Sequence, residues 1–441
     1  MVANKEPIFK GMTKYKWFIF IVALLGWSMA SMDLNLYSIN LPLIMSTYHI
    51  SIALTGIITA LIFLGATIVV WIVGPFLDTY GRKSVWQYSL LTMAIFTGFT
   101  IFATTVVILI IIRVLSDGPS YIEFPTGITI ANEEMPAKLR GSLYGWIQAG
   151  FPLGYFLATL IAITVVPRFP LDLGWKIAFL IGVVPILLVV IMRHWVKEPE
   201  RSKIAIKARN LAKNGHLDEA KEITKKYQID LSEAPKYPYK QLFTDPKLKK
   251  HTIYSTITEL SHEFSTPALF FFTSTALVVY KHIPVEQSFY IILAGNGLAF
   301  FAYGLMGHLG QKITRKWASA IIGLVGGISV IFFALSSGLL ETIIATLLFY
   351  PLVLAWNGTW WVYIAETYPT RVRGTADSWQ VGLNDAAWIL GSLAYGFVIS
   401  AAGFLYTYLL IGALPVLLGA ILVATKGIKV KPDEELEEII V

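Results

Sequence analysis

The stretch Trp361–Gly374 reads WVYIAETYPTRVRG, an apolar run that ends on a glutamate, a proline and two arginines. A related stretch at 131–141, ANEEMPAKLRG, closes at Gly141, 233 positions earlier. Glu133, Pro136, Arg140 and Gly141 recur at the same spacing as Glu366, Pro369, Arg373 and Gly374. A second pair flanks the first: GPFLDTYGRK (Gly74–Lys83) and the degraded GLMGHLGQKITRK (Gly304–Lys316), with His308 where Asp78 would stand. A repeat at so long a period is the mark of one structural unit written twice.

What lies between the repeats is apolar. Of 441 residues, 56% are hydrophobic and 14% charged, against about 25% charged in ordinary soluble chains. Twelve apolar runs fall at about 17–43, 52–77, 84–104, 106–131, 142–167, 175–196, 252–280, 286–308, 317–337, 341–365, 374–399 and 404–425. A helix needs roughly 20 such residues to cross a bilayer, so the expectation is an all-α polytopic membrane protein with the lipid bilayer as its solvent. The runs are too long and continuous for barrel strands, which take about 10 residues of alternating polarity. The apolar pattern from Trp17 continues past Tyr37, so no cleavable signal peptide is expected. The absence of cysteine rules out disulfides and thiol chemistry.

The net charge of +7 is a topology signal rather than a nucleic-acid footprint. With the N-terminus inside, 30 of the 35 Lys and Arg fall on inside segments; Arg168, Lys176 and Lys281 are outside, and Arg113 and Arg193 lie within spans. That asymmetry places both termini in the cytoplasm of a cell-membrane protein. The one long polar segment, about 197–251, carries 14 Lys and Arg against 8 Asp and Glu, and reads as short helices around Asn214-Gly215. The chain therefore divides into a six-helix half (1–196), a cytoplasmic linker (197–251), a second six-helix half (252–425) and a short tail (426–441). Two such halves related by an axis along the membrane normal describe the architecture of the major facilitator superfamily.

The opening motifs resemble the sugar porter branch of that superfamily, the proton-linked sugar symporters. WVYIAETYPTRVRG matches the branch's tenth-helix signature, GPFLDTYGRK its loop between helices two and three, and NGHLDEAKEI its intracellular helical segment. The resemblance implies secondary transport by alternating access, with no enzymatic activity and no cofactor beyond the proton gradient. It puts Gln148 and Asn384 on substrate-binding positions, singles out Trp361 among the aromatics that could stack on a ring, and makes Asp33 and Arg113 a proton-coupling pair. The chain also departs from the branch: span ten has Asn357-Gly358 where the branch has Gly-Pro, Asp385 stands where it has a tryptophan, and span seven reads TELSHEF (Thr258–Phe264), so Glu259, His262 and Glu263 replace the amides that grip a hexose.

The residues carry a reading of their own. At each even-numbered motif, a proline breaks the helix between a glutamate and an arginine at the membrane boundary. Asp78, Arg82, Glu133, Arg140, Glu366 and Arg373 would then pair across helices when a cytoplasmic gate is shut, biasing one of two states. Ionisable groups inside spans are functional hypotheses by default. Asp33 and Arg113 both fall ~10–15 Å below the outer boundary at 1.5 Å per helical residue and can pair, with Asp117 one turn beyond Arg113 as another partner. Asp33 is expected to face a water-filled outer cavity. Glu259 and Glu263 share a helical face and, with mid-span Glu123 beside Pro125, are read as substrate contacts, Glu263 also as a proton site. No phosphate-binding loop, nucleophile triad or metal cluster is present. The sequence thus predicts a monomeric symporter coupling protons to a sugar or similar small polar solute. An organic-acid symporter, an uncoupled facilitator and a non-transporting nutrient sensor are the alternatives; a sensor would carry a long signalling tail, whereas about 16 residues follow Thr425.

Overall fold

The computed structural model describes residues 11–80, 82–135, 137–198, 242–368 and 370–429, with scattered positions between 203 and 223. Among them the chain is helical throughout and crosses the bundle twelve times. Spans 1 to 6 are Lys14–Tyr48, Ile52–Tyr80, Arg82–Phe99, Val106–Glu134, the pair Ala137–Gln148 and Gly150–Val165, and Leu171–Met192. Span 7 is Pro246–Phe264 continued by Pro267–Phe271 and Thr273–Val279; spans 8 to 10 are Val285–Ile313, Arg315–Leu335 and Leu339–Thr367. Spans 11 and 12 run on from Thr370–Thr407 through Tyr408–Ala413 to Leu414–Lys426.

Local chemistry explains the breaks. Thr13 and Thr105 cap spans 1 and 4, their hydroxyls accepting from the backbone N–H groups of Lys16 and Ile108 at 3.3 Å each. Pro267 has no N–H to give, and the chain passes it in a wide π turn. Trp379–Lys426 looks like one apolar stretch of 48 residues, which at 1.5 Å per residue would be ~72 Å long, more than twice a bilayer's hydrocarbon core. Gly403, at φ 78°, divides it into two passes.

Nine stretches of the described residues are long and apolar enough to cross a membrane by themselves, the last of them holding two passes. Spans 4 and 7 fall outside that set. They carry Arg113, Asp117, Glu123, Glu259, His262 and Glu263, and each of those side chains is buried by protein. Large apolar side chains such as Ile72, Leu188, Phe301, Ile328 and Leu340 point outward instead, as a lipid-facing surface requires.

Span 1 packs along spans 4, 5 and 6, and span 10 along spans 8 and 9. The halves meet where span 2 lies on span 11, span 5 on span 8, and span 1 on span 7. On the side opposite the termini the meeting is tight. Ser38 donates to the Phe271 carbonyl at 2.8 Å and Ser274 to the Ile39 carbonyl at 3.1 Å. Gly56 and Gly396 let spans 2 and 11 touch backbone to backbone; a Cβ on Gly56 would stand 2.7 Å from the Ser392 carbonyl oxygen. Of the linker's expected short helices, helical positions at 203–211 and 218–223 and a turn at Asn214 are described; the rest lies outside the described residues.

Candidate functional site

A cavity opens between the halves, concave and mostly apolar with a few convergent polar groups, as small-molecule sites are. Trp27 of span 1, Tyr121 of span 4, and Gln148 and Phe151 of span 5 form one wall. Glu263 and Thr266 of span 7, Tyr303 of span 8, Asn357 and Trp361 of span 10, and Asn384, Asp385 and Trp388 of span 11 form the other. Six of these are aromatic, three are amides and two are acids; no Lys, Arg or His lines the space among the described residues. Gln148, Glu263, Trp361 and Asn384, chosen from the sequence, all reach the cavity.

Glu263 is held from four directions. Its Oε1 accepts from Asn357 Nδ2 at 3.1 Å and lies 3.1 Å from His262 Nδ1; its Oε2 accepts from Trp388 Nε1 at 2.7 Å and Thr266 Oγ1 at 2.8 Å. His262 in turn stacks on Trp356 at 3.8 Å. A carboxylate so fully supplied with donors is oriented before any ligand arrives. Asn357, spending its amide on Glu263, keeps its own buried carbonyl oxygen without a donor. Asp385 differs: its one hydrogen bond is from Thr67 at 3.4 Å.

Two expected substrate contacts do not reach the cavity. Glu259 is fully buried one turn below Glu263, and its Oε2 accepts from the Trp360 indole. Glu123 is locked into an ion pair inside the first half. Arg193 Nη1 donates to Glu123 Oε1 at 2.8 Å and to the Trp86 carbonyl at 2.7 Å, its Nη2 contacts Glu123 Oε2, and Ser89 donates to Oε1 at 3.0 Å. The guanidinium lies 3.7 Å over the Trp86 ring. Spacing along span 4 places Glu123 at mid-depth; it cannot tell that Arg193, 70 positions on, comes back to meet it.

Asp33 and Arg113 do pair, Nη1 to Oδ1 and Nη2 to Oδ2 at 3.0 Å each. Thr97 donates to Asp33 Oδ1 at 2.6 Å, and Ser116 to Oδ2. Arg113 Nη2 also contacts Asp117 Oδ1, so the guanidinium serves both acids at once. The expected exposure of Asp33 to an outer cavity is not found: Asp33 and Arg113 are 0% exposed and Asp117 1%. Thr97, Ser116 and the Phe179 ring pack against the pair inside the first half.

Of the gate residues, Glu366 pairs with Arg315 Nε at 3.5 Å, joining the ends of spans 10 and 9. Arg82 and Lys83 present their backbone N–H groups to Glu198, at 2.9 and 2.8 Å. The side chains of Asp78, Glu133, Arg140 and Arg373 lie outside the described residues. Trp27, Tyr121, Phe151, Thr266, Tyr303 and Asn357 are among the cavity residues that sequence reading passes over. Aromatics are too common here to single out, but an asparagine in the middle of an apolar span was a usable signal.

The sequence description of the Major Facilitator Superfamily matches residues 17–392. The niacin transporter NiaP of Acinetobacter baylyi is 24% identical, the match covering 88% of this chain and 87% of the relative. The cis,cis-muconate transport protein of the same species is also 24% identical, over 90% of this chain and 93% of the relative. The solved structure of the proton:xylose symporter XylE bound to 6-bromo-6-deoxy-D-glucose superposes with a TM-score of 0.74 at 16% identity, over 96% of this chain and 98% of XylE.

Proposed function

The chain belongs to the Major Facilitator Superfamily, and from that premise we propose that this transporter couples protons to the uptake of a small ring-shaped or planar polar metabolite. The observation that carries the reading is the cavity wall: aromatic faces and amides with two acids and no cation among the described residues. Aromatic faces stack on a sugar or an unsaturated ring, and the amides of Gln148, Asn357 and Asn384 supply both donors and acceptors to hydroxyl or carboxylic acid groups. With no guanidinium or ammonium in the wall, a solute is bound uncharged, or as an acid that brings its proton with it. A sugar satisfies this directly.

A small unsaturated or aromatic carboxylic acid is the second reading. Two full-length relatives are named for niacin and cis,cis-muconate, and that favours it. Coupling to protons rests on Asp33, Arg113 and Asp117, a charged cluster that the bilayer-spanning bundle retains at the expense of apolar packing. The cycle is one of differential pairing: protonation weakens the carboxylate–guanidinium contacts and allows the loaded carrier to change state, and release of the proton restores them.

Proteoliposomes carrying an internal pH dye test the reading. Internal acidification on adding one sugar, lost in Asp33→Asn, supports proton–sugar symport. Carrier-dependent acidification with small carboxylic acids, above that of protein-free vesicles, supports the second reading. Uptake of labelled solute with no pH change refutes the coupling.

A further inference from the structure

We propose that the proton this carrier moves resides on Asp117 rather than Asp33, and that the Tyr121 hydroxyl links Asp117 to the cavity. The inference rests on the coupled reading above and assigns its proton to one side chain.

Charge balance gives the first step. Asp33, Arg113 and Asp117 are sealed from solvent, at 0%, 0% and 1% exposure. Two carboxylates and one guanidinium leave an uncompensated negative charge there, which a medium of low polarity tolerates poorly. One proton makes the cluster neutral. Around it, span 1 contributes Tyr37, whose hydroxyl is engaged with Thr59 at 3.0 Å, and span 4 contributes Tyr121; neither adds a cation.

Hydrogen bonding decides which acid takes it. Both oxygens of Asp33 face donors: a guanidinium N–H at 3.0 Å on each, the Thr97 hydroxyl at 2.6 Å on Oδ1 and the Ser116 hydroxyl on Oδ2. The guanidinium, a donor only, meets both oxygens of Asp33, and that two-point charge-assisted pair favours its ionised form; the hydroxyls of Thr97 and Ser116 can donate to it or accept. Asp117 has one contact, Arg113 Nη2 to Oδ1. Its carbonyl oxygen can keep that contact while Oδ2 carries the proton.

The route follows from helical spacing. Arg113, Asp117 and Tyr121 are four apart in turn and stack on one face of span 4. The Tyr121 hydroxyl is buried without a hydrogen-bond partner in this state, so it is free to take up a proton-transfer contact. Tyr121 and Asp385 both line the cavity. In the transfer, which requires the Tyr121 hydroxyl to come within hydrogen-bond reach of both acids as the carrier changes state, the Asp117 O–H bond breaks and its proton passes to the Tyr121 oxygen, while the proton of Tyr121 passes to the Asp385 carboxylate. Asp117 is left ionised, Asp385 neutral and Tyr121 unchanged. Asp385 meets no guanidinium, so it accepts without breaking an ion pair and faces the solute as it does so. Asp33 stays ionised throughout and holds Arg113 in position.

Infrared spectroscopy of the reconstituted full chain separates the two acids, because aspartic and glutamic acid differ in C=O stretching frequency and Asp→Glu keeps the charge. A carboxylic acid component of the wild-type spectrum at neutral pH is expected to shift in Asp117→Glu and to stay in place in Asp33→Glu. A component that moves with Asp33→Glu, or none that moves with Asp117→Glu, overturns the assignment. A component that moves with Asp117→Glu in a carrier giving no solute-driven pH change keeps the protonation site and refutes the coupled reading instead. Tyr121→Phe is expected to slow proton-driven uptake by on the order of a hundredfold beyond its effect on solute exchange at equal pH, the low end of what a positioned proton-transfer group contributes. Equal losses in the two assays overturn the link through Tyr121.

Discussion

Replacing Gly56 with alanine should push the carrier away from the state seen here. A Cβ at that position would lie 2.7 Å from the Ser392 carbonyl oxygen, 2.9 Å from Gly396 Cα and 3.2 Å from Gly396 N, all of them backbone atoms. Carbon atoms pack at about 3.5–4.0 Å, so spans 2 and 11 must separate by roughly 0.6 Å or more, and no side chain can turn aside to make the room. Overpacking of this kind costs about 1–3 kcal/mol. The cost falls on the closed arrangement and vanishes once the two spans part, so it enters the equilibrium between states, shifting it by about 5–150-fold. The chain has no cysteine, so a single reporter can be introduced cleanly. Ser274→Cys, at the contact with the Ile39 carbonyl, would be labelled with a bulky maleimide in nanodiscs, with and without Gly56→Ala. Labelling should speed up within that range. Gly145→Ala is the control, since its Cβ would meet Gly307 Cα at an ordinary 3.4 Å, and should change the rate less than twofold, within the ±0.5 kcal/mol typical of substitutions that meet no obstacle. Folded protein whose labelling rate is unchanged or slower with Gly56→Ala would refute the argument.

Glu123→Gln should destabilise the protein by about 3–5 kcal/mol, because it strands the buried Arg193 charge; thermal unfolding in detergent measures it, and a shift no larger than that of a surface substitution contradicts the closed pair. Gln148→Ala should leave that unfolding temperature near wild type while weakening solute binding by about 1–3 kcal/mol, the loss of one buried hydrogen-bonding group, read by equilibrium binding. Thr314 adopts φ 74° and ψ 148° between spans 8 and 9, a conformation that costs non-glycine residues about 1–3 kcal/mol. Thr314→Gly should therefore raise stability, and a fall would show that the strain is relieved elsewhere.

The fold was legible because its signals are one-dimensional. Run length gives the passes, the charge asymmetry suggests the sidedness, and the repeat from Gly141 to Gly374 gives the two halves. The break between spans 11 and 12 was read as well, at 400–403, where Gly403 turns the chain; what apolarity does not show is the π turn at Pro267 inside span 7. The site was legible in part. Asp33 and Arg113 could be matched because depth alone brings them together. Glu123 and Glu259 were misassigned because depth does not say which way a side chain points: one turns to Arg193, the other to Trp360. A helix face is fixed by packing between distant segments, and that information is not local.

The misassigned partners also decide what the cavity can bind. An unpaired guanidinium inside a span would suit an anionic solute. In the structure Arg113 is divided between Asp33 and Asp117, and Arg193 is held by Glu123, the Trp86 carbonyl and the Trp86 ring. Both intramembrane guanidiniums are thus committed inside the first half, and the cavity keeps Glu263 and Asp385 without a basic residue in its wall among the described residues. An anion entering that space would have to displace a buried ion pair, or else be neutralised. Protonation is the less costly of the two, and it ties selectivity to coupling: a solute binds when a proton comes with it, on the solute or on a wall carboxyl. A sugar needs no such help to bind, so its dependence on protons would appear in accumulation rather than in affinity. An acid would show it in affinity as well, binding more tightly as pH falls, and equilibrium binding across pH therefore separates the two readings even in a variant that cannot transport.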